Sequence, residues 1–294
     1  MSASTLDTRD RVYAGILFTS LSYFLFTVHD AAVKLLVVSI PVWQVLFFRS
    51  LTILAGCLAV GGRQVFAEAV ASPIVRPMFL RSFLILSAWL CYYTAARDLQ
   101  LAELTTIYYA APIIITVMSV FILKETVPLA RWGAVALGFV GVFVACDPAE
   151  LGVSLPVLLV LAAALLWGLS IVLLRKIAMQ EKTIVQMILN NSFFLVTAGL
   201  PLIYLWQTPS LGQVALLFGA GSLAGFAQFA LFEGMKRAPA SVIAPFEYTA
   251  LVWSFLLGYL IWGDVPRSGV SVGASMIVGA GLIIIASEHF RRRS

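Results

Sequence analysis

The sequence predicts an all-α integral membrane protein, with ten transmembrane helices arranged as two inverted five-helix repeats and both termini cytoplasmic. Three observations carry that prediction. First, 61% of the 294 residues are hydrophobic and 11% are charged, with a mean hydropathy of +1.00, whereas soluble domains carry about 25% charged residues. Second, apolar stretches recur ten times along the chain, and a helix needs about 20 apolar residues to cross a hydrocarbon core of roughly 30 Å. Third, the last five stretches echo the first five, and an odd number of spans per repeat turns one half upside down relative to the other, as in many secondary transporters.

The spans fall near 12–37, 42–61, 77–97, 101–122, 130–146, 154–175, 184–206, 211–233, 240–261 and 268–287. They group into a first repeat over 12–146 and a second over 154–287, with tails 1–11 and 288–294. No room remains for a sizeable soluble domain. The first span, from Val12, is too long for a signal-peptide core and no A-x-A-like site follows it, so it is expected to be retained. It carries His29, Asp30 and, near its end, Lys34. The second carries Gln44 and Arg49. The third carries Trp89, Tyr92 and Tyr93, which share one face at i, i+3 and i+4, and runs into a short hinge, 96–102. The fourth holds Thr105, Thr106, Tyr108, Tyr109 and Pro112, and Glu125 follows it. Gly133, Gly138 and Gly141 in the fifth suit close helix approach.

The second half opens with Trp167, Gly168, Ser170 and Arg175 in the sixth span. Gln186, Asn190 and Asn191 lie in the seventh, and Gly221, Gly225 and Gln228 in the eighth. The ninth holds Pro245, Glu247 and Tyr248, and Asp264 follows it. The tenth holds Gly273, Gly279 and Gly281. Three stretches align in the same order: Gln44-xxxx-Arg49-Ser50 with Gln186-xxxx-Asn191-Ser192, the hinge 96–102 with 234–240, and Glu125-Thr126-Val127-Pro128 with Asp264-Val265-Pro266, each of the last pair followed by glycines. Such ordered self-similarity is the mark of an internal repeat.

The net charge of +5 does not point to nucleic acid, because of where the basic residues fall. With a cytoplasmic N-terminus, Arg9, Arg11, Arg63, Arg76, Arg81, Lys124, Arg131, Arg175, Lys176, Lys182, Lys236, Arg237 and Arg291–Arg293 all lie on the cytoplasmic side. Lys34, Arg97 and Arg267 fall outside, and Arg49 lies within a span. That asymmetry follows the positive-inside rule and predicts both termini inside; the Arg291–Arg293 tail reads as an anchor at anionic lipid. Cys57, Cys91 and Cys146 sit within spans with no CxxC or Cys/His pairing, so neither a disulfide nor a metal site is expected. No HExxH, phosphate-cradling loop or nucleophile elbow occurs. An enzyme, an ATP-driven pump and a bound cofactor are therefore not expected.

Charged groups inside a bilayer cost at least about 2.5–3.5 kcal/mol and face a cavity or a partner. Asp30 and Arg49 both lie roughly 10 Å from the outer ends of their helices, at about 1.5 Å per residue, which fits an ion pair that holds two helices together, gates the periplasmic side or docks a zwitterionic substrate, with Asn191 as the counterpart of Arg49. His29 lies about 100° round the helix from Asp30 and is expected to be a satisfied packing residue. Glu247 is a structural carboxyl or a group that binds a substrate ammonium or a coupling proton. Trp89, Tyr92, Tyr93, Tyr108, Tyr109, Trp167, Ser170, Gln228 and Tyr248 are candidates for lining a substrate cavity, against an aromatic belt or ordinary packing. Pro112 and Pro245 each remove a backbone hydrogen bond within a span and are candidate hinges.

Ten spans, Lys34 and Arg175 near the ends of the first helix of each half, Arg49 in the second span, Trp167-Gly168 in the sixth, and the acids Glu125 and Asp264 together resemble the drug/metabolite transporter superfamily with its two EamA repeats. The resemblance runs from about Val12 to Ser287 and, within the superfamily, is nearest to bacterial amino-acid exporters of the YddG type. One departure is that Ala250 stands opposite Pro112, while Pro245 lies five residues earlier. The resemblance implies a multi-pass protein of the bacterial inner membrane that exports amino acids, aromatic and other neutral ones, by alternating access. Its partners would be a small-molecule substrate and the bilayer, with coupling to protons open; a monomer suffices and a dimer is compatible. A passive channel, or a carrier for nucleotide sugars, organophosphates or drugs, is the alternative.

Overall fold

The computed structural model describes residues 3–111, 114, 117–118, 129–146, 154–177, 181–237 and 249–291. Among these residues there are helices and connecting turns and no strand. In chain order the longer helices are α1 (Ala3–Leu36), α2 (Val42–Ala71), α3 (Val75–Ala95), α4 (Leu101–Tyr108), α5 (Leu129–Cys146), α6 (Leu155–Ile177), α7 (Thr183–Gly199), α8 (Leu211–Arg237), α9 (Thr249–Trp262) and α10 (Ser268–Arg291). Each overlaps one expected span. Four contain stretches long and apolar enough to cross a bilayer by themselves, Tyr13–Leu36, Val42–Ala71, Val75–Ala95 and Leu211–Gly234, and shorter apolar stretches lie in five of the others.

Two boundaries differ from expectation for local reasons. The helix that begins at Val42 continues to Ala71, but Gly62 has φ 64° and ψ −170° and breaks it. Only glycine takes such a conformation without strain, so 42–61 is the span and 63–71 a separate piece. Val65, Phe66 and Ala69 of that piece share one apolar cluster with Ile184, Val185 and Ile188, while Arg63 and Gln64 are exposed. The seventh span ends early, at Gly199, because Pro201 opens a separate one-turn helix, Leu202–Leu205. The Gln44 side chain fixes this connection from both sides: its Nε2 donates to the Gln207 carbonyl (2.8 Å) and its Oε1 accepts from the Gln207 N–H (3.1 Å).

Among the described residues the largest contacts are made between the halves: α1 with α8, α5 with α10, α2 with α7 and α3 with α6. Exchanging each helix with its equivalent in the other half turns the α1–α8 contact into α6–α3 and the α2–α8 contact into α7–α3, both of which are present. Helix directions show that this symmetry is an inversion. α1 is parallel to α3, since Asp30 meets Tyr92 and Lys34 meets Ala96. It is antiparallel to α8, since Ser22 bonds to Ala227 and Thr19 meets Gly234. The third helices of the two halves therefore point in opposite directions. Equivalent helices that touch do the same: Phe47 meets Gly199 and Gly61 meets Ile184 across α2 and α7, and Gly141 meets Met276 while Ala145 meets Gly273 across α5 and α10.

Small residues let these crossings close. A Cβ on Gly273 would lie 2.4 Å from the Gly141 carbonyl oxygen, and one on Gly221 would lie 2.7 Å from Thr52 and 3.3 Å from the Arg49 Cα. Gly133, also expected to serve close packing, meets open space. The surface is apolar, with Leu17, Val60, Phe83, Phe143, Leu211, Phe226 and Tyr259 all well exposed. Polar groups such as Ser22, Gln44, Arg49, Arg81, Asn190 and Asn191 are buried. Apolar outside and polar inside is the arrangement lipid requires.

Candidate functional site

Most of the buried polar side chains lie on α1, α2, α3, α7 and α8, with others on α4, α6 and α9. Arg49, seven residues into α2, is 2% exposed, and its Cζ lies 3.8 Å from the centre of the Trp89 ring on α3. The close approach of α8 at Gly221 packs against the backbone of this same residue. A guanidinium over an indole face is held by the ring quadrupole and gains about 2 kcal/mol or more when desolvated. That contact uses the face of the guanidinium, and two of its nitrogens, Nε and Nη1, are buried without a hydrogen-bond partner.

Asp30 is at the same level on α1, with its side chain 25% exposed. His29 Nδ1 lies 3.1 Å from Asp30 Oδ1, and the Tyr92 hydroxyl donates to Asp30 Oδ2 at 3.4 Å. No Asp30–Arg49 ion pair forms within 4 Å. α3 engages both instead, with Trp89 under the guanidinium and Tyr92 at the carboxylate, although Asp30 still acts electrostatically on Arg49. The expectation for His29 needs correcting as well. Adjacent side chains leave a helix about 100° apart, but the imidazole is long enough to reach the neighbouring carboxylate, and its Nε2 is buried without a partner.

The aromatic candidates on α3 come together. Trp89 and Tyr93 stack with centroids 6.5 Å apart, Tyr92 meets Tyr93 at 5.7 Å and Tyr108 at 5.1 Å, and Phe194 closes on Trp89 at 5.1 Å. His29 tilts against Tyr93 at 6.1 Å. Tyr109 is buried in a second cluster with Leu251, Ala274 and Ile277, against which Trp167 also packs. Ser170 and Gln228 are buried, and Ser170 Oγ and Gln228 Oε1 have no partner. The Asn191 side chain donates from Nδ2 to the Met187 carbonyl (2.8 Å), its Oδ1 remains unpaired, and the neighbouring Asn190 accepts from Ser82 (3.0 Å). Glu247, Tyr248, Pro112 and Pro245 lie outside the described residues.

Two features were not read from the sequence. Arg81, counted with the cytoplasmic-side cations, is 3% exposed within α3; the signal of its burial was its position as the fifth residue of the expected span 77–97. Glu103 is buried at the start of α4, where its Oε2 accepts from the Gln100 N–H (3.1 Å) and its Oε1 lies 3.4 Å from Arg267 Nε. At the same end of the bundle Lys34 donates to the Ala96 carbonyl (3.2 Å) and to the Leu99 carbonyl, and sits 5.4 Å from the centre of the Trp262 ring. These contacts tie the first half to α9 and the segment after it.

The model of the EamA-like transporter family matches this chain twice, over residues 13–146 and 154–286. The chain is 27% identical over 279 residues to an S-adenosylmethionine uptake transporter of Rickettsia prowazekii, covering 93% of each chain. It is 30% identical over 205 residues to a riboflavin transporter of Vibrio cholerae, covering 68% of this chain and 67% of that one. A crystal structure 19% identical in sequence superposes with a TM-score of 0.67, covering 97% of this chain and 99% of its own, which supports the fold alone.

Proposed function

We propose that this chain, which belongs to the EamA-like transporter family, carries small metabolites bearing an α-amino-acid group across the bacterial inner membrane. Family membership makes it a multi-pass transporter of small molecules and not an enzyme. The observation that carries the finer reading is the separated pair of charges. Arg49 and Asp30 share one level of the interior but do not meet, and Arg49 keeps two buried donors unpaired. A zwitterion complements that arrangement: its carboxylate accepts from an unpaired guanidinium nitrogen and its ammonium approaches Asp30. Trp89, Tyr92, Tyr93 and Tyr108 offer ring faces to the rest of the molecule, and amphipathic rings suit both apolar side chains and planar heterocycles.

The relatives support the chemistry in part. S-adenosylmethionine, named for the Rickettsia relative, combines an α-amino-acid group with a planar purine. Riboflavin, named for the Vibrio relative, offers the ring without that group. The proposed substrate class thus includes free amino acids and their ring-bearing conjugates. The inverted halves support alternating access, in which one interior site opens to each side in turn, and the direction of net movement follows the gradient.

The test is counterflow in liposomes holding the purified full chain, with labelled phenylalanine, methionine, S-adenosylmethionine and riboflavin. One or more of the amino-acid compounds is expected to show trans-stimulation. Arg49→Gln should lower its kcat/KM by about 10- to 100-fold, the worth of a hydrogen bond to a charged group, with Arg49→Lys in between. Movement of riboflavin alone would sink the amino-acid assignment, and flux without trans-stimulation would mean a channel.

A further inference from the structure

Arg81 is a second buried guanidinium, on the opposite side of the bundle's middle from Arg49. Its Nε and Nη1 have no hydrogen-bond partner, and no described carboxylate lies within ion-pair distance. Protein alone encloses it, so its 3% exposure means that it faces neither lipid nor water. An arginine stem is long enough to snorkel its head to the surface from near a helix end. Arg81 lies six residues from the start of α3, about 9 Å at 1.5 Å per residue, and nevertheless stays inside.

The inverted symmetry shows how the two arginines are related. Arg49 lies where α2 runs beside α8, level with Gly221. The symmetry exchanges that crossing with the one between α7 and α3, where Ser82, next to Arg81, bonds to Asn190, next to Asn191. One crossing carries its cation on the second helix of its half and the other on the third. Trp89, under Arg49, is eight residues along α3 from Arg81, about 12 Å. That is too far for one carboxylate to touch both.

We propose that Arg81 is a second oxyanion station on the transport path, taking the substrate carboxylate at its end of the bundle as Arg49 does at the other. This rests on the reading of the chain as a carrier of carboxylate-bearing metabolites. A buried cation with two unpartnered nitrogens and no carboxylate beside it among the described residues is stabilised when an anion arrives, and two such cations in series hold the carboxylate on each side of the exchange between the halves.

The first experiment needs no substrate. Phenylglyoxal modification of Arg81 in the purified full chain is followed by peptide mass spectrometry with and without acetate, the minimal carboxylate. Modification that acetate slows several-fold is the expected result. An inert Arg81, modification indifferent to acetate, or protection by phosphatidylglycerol without protection by acetate would overturn the proposal, the last because it assigns the site to a lipid headgroup. The second measures S-adenosylmethionine counterflow from each side for Arg81→Gln and Arg81→Lys. Arg81→Gln should raise KM about tenfold, the scale of one charge-assisted hydrogen bond, for substrate offered at the Arg81 end only, and Arg81→Lys should raise it less. Equal changes on both sides would mean a structural role. Should wild-type vesicles move none of the amino-acid compounds, the transport reading fails while the acetate experiment still decides Arg81.

Discussion

Gly221 sets how closely α8 lies against the residue that matters most, because its missing side chain is what the Arg49 backbone and Thr52 pack into. Gly221→Ala forces a Cβ to within 2.7 Å of Thr52 and should destabilise the fold by about 1–3 kcal/mol, the usual cost of overpacking. Gly219→Ala, two residues away on the same helix, meets nothing within 4 Å and should be neutral or stabilising. Thermal unfolding in detergent compares them, and equal midpoints for the two variants would refute this account of the crossing. At this scale the sequence was partly legible. Arg49 and Asp30 stood out because charge inside an apolar run is costly, and the i, i+3, i+4 spacing was enough to bring Trp89, Tyr92 and Tyr93 together. Partner choice was not legible. Arg49 rests on Trp89 rather than on Asp30, and nothing in a linear sequence says which of several helices places a ring under a guanidinium. The burial of Arg81 was not legible, because the positive-inside rule counts charges near a helix end without knowing whether they are covered.

Among the elements, α4 depends on a single carboxylate. Glu103 caps its start and holds Arg267 from beyond α9, so one residue serves a helix terminus and a link between the halves. Glu103→Ala should cost about 1 kcal/mol through the lost cap. It should also raise amide hydrogen exchange in 101–107 and near Arg267 together; faster exchange in 101–107 alone would mean that the Arg267 contact holds nothing. Helix positions were legible because apolar runs of membrane length are unmistakable. Their interruptions were less so. Gly62 breaks α2 through a positive φ, whereas several other glycines sit in regular helix, and the sequence alone does not separate the two kinds.

For the whole molecule, the inversion inferred from an odd number of spans is realised in the helix directions, but the way the halves interlock was not legible. Similarity between the two repeats says which helices are equivalent but not which ones touch, and among the described residues the main contacts run between the halves. Neither half buries its own interior, so residues 1–150 or 151–294 expressed alone should aggregate. The two co-expressed should copurify as a complex that exchanges substrate, and a soluble, monodisperse half would contradict this. The pairing of α1 with α8 also has a cost in time. α1 reaches its end at Leu36, and α8 begins only at Leu211. At about 5–20 residues per second, the ribosome needs roughly 10–35 seconds to make the intervening chain. For that interval the buried Thr19, Ser22 and His29 of α1 are without the eighth helix that will cover part of them. During synthesis the first helix is thus half of an unfinished seam, its polar face lacking the eighth helix until the second half arrives.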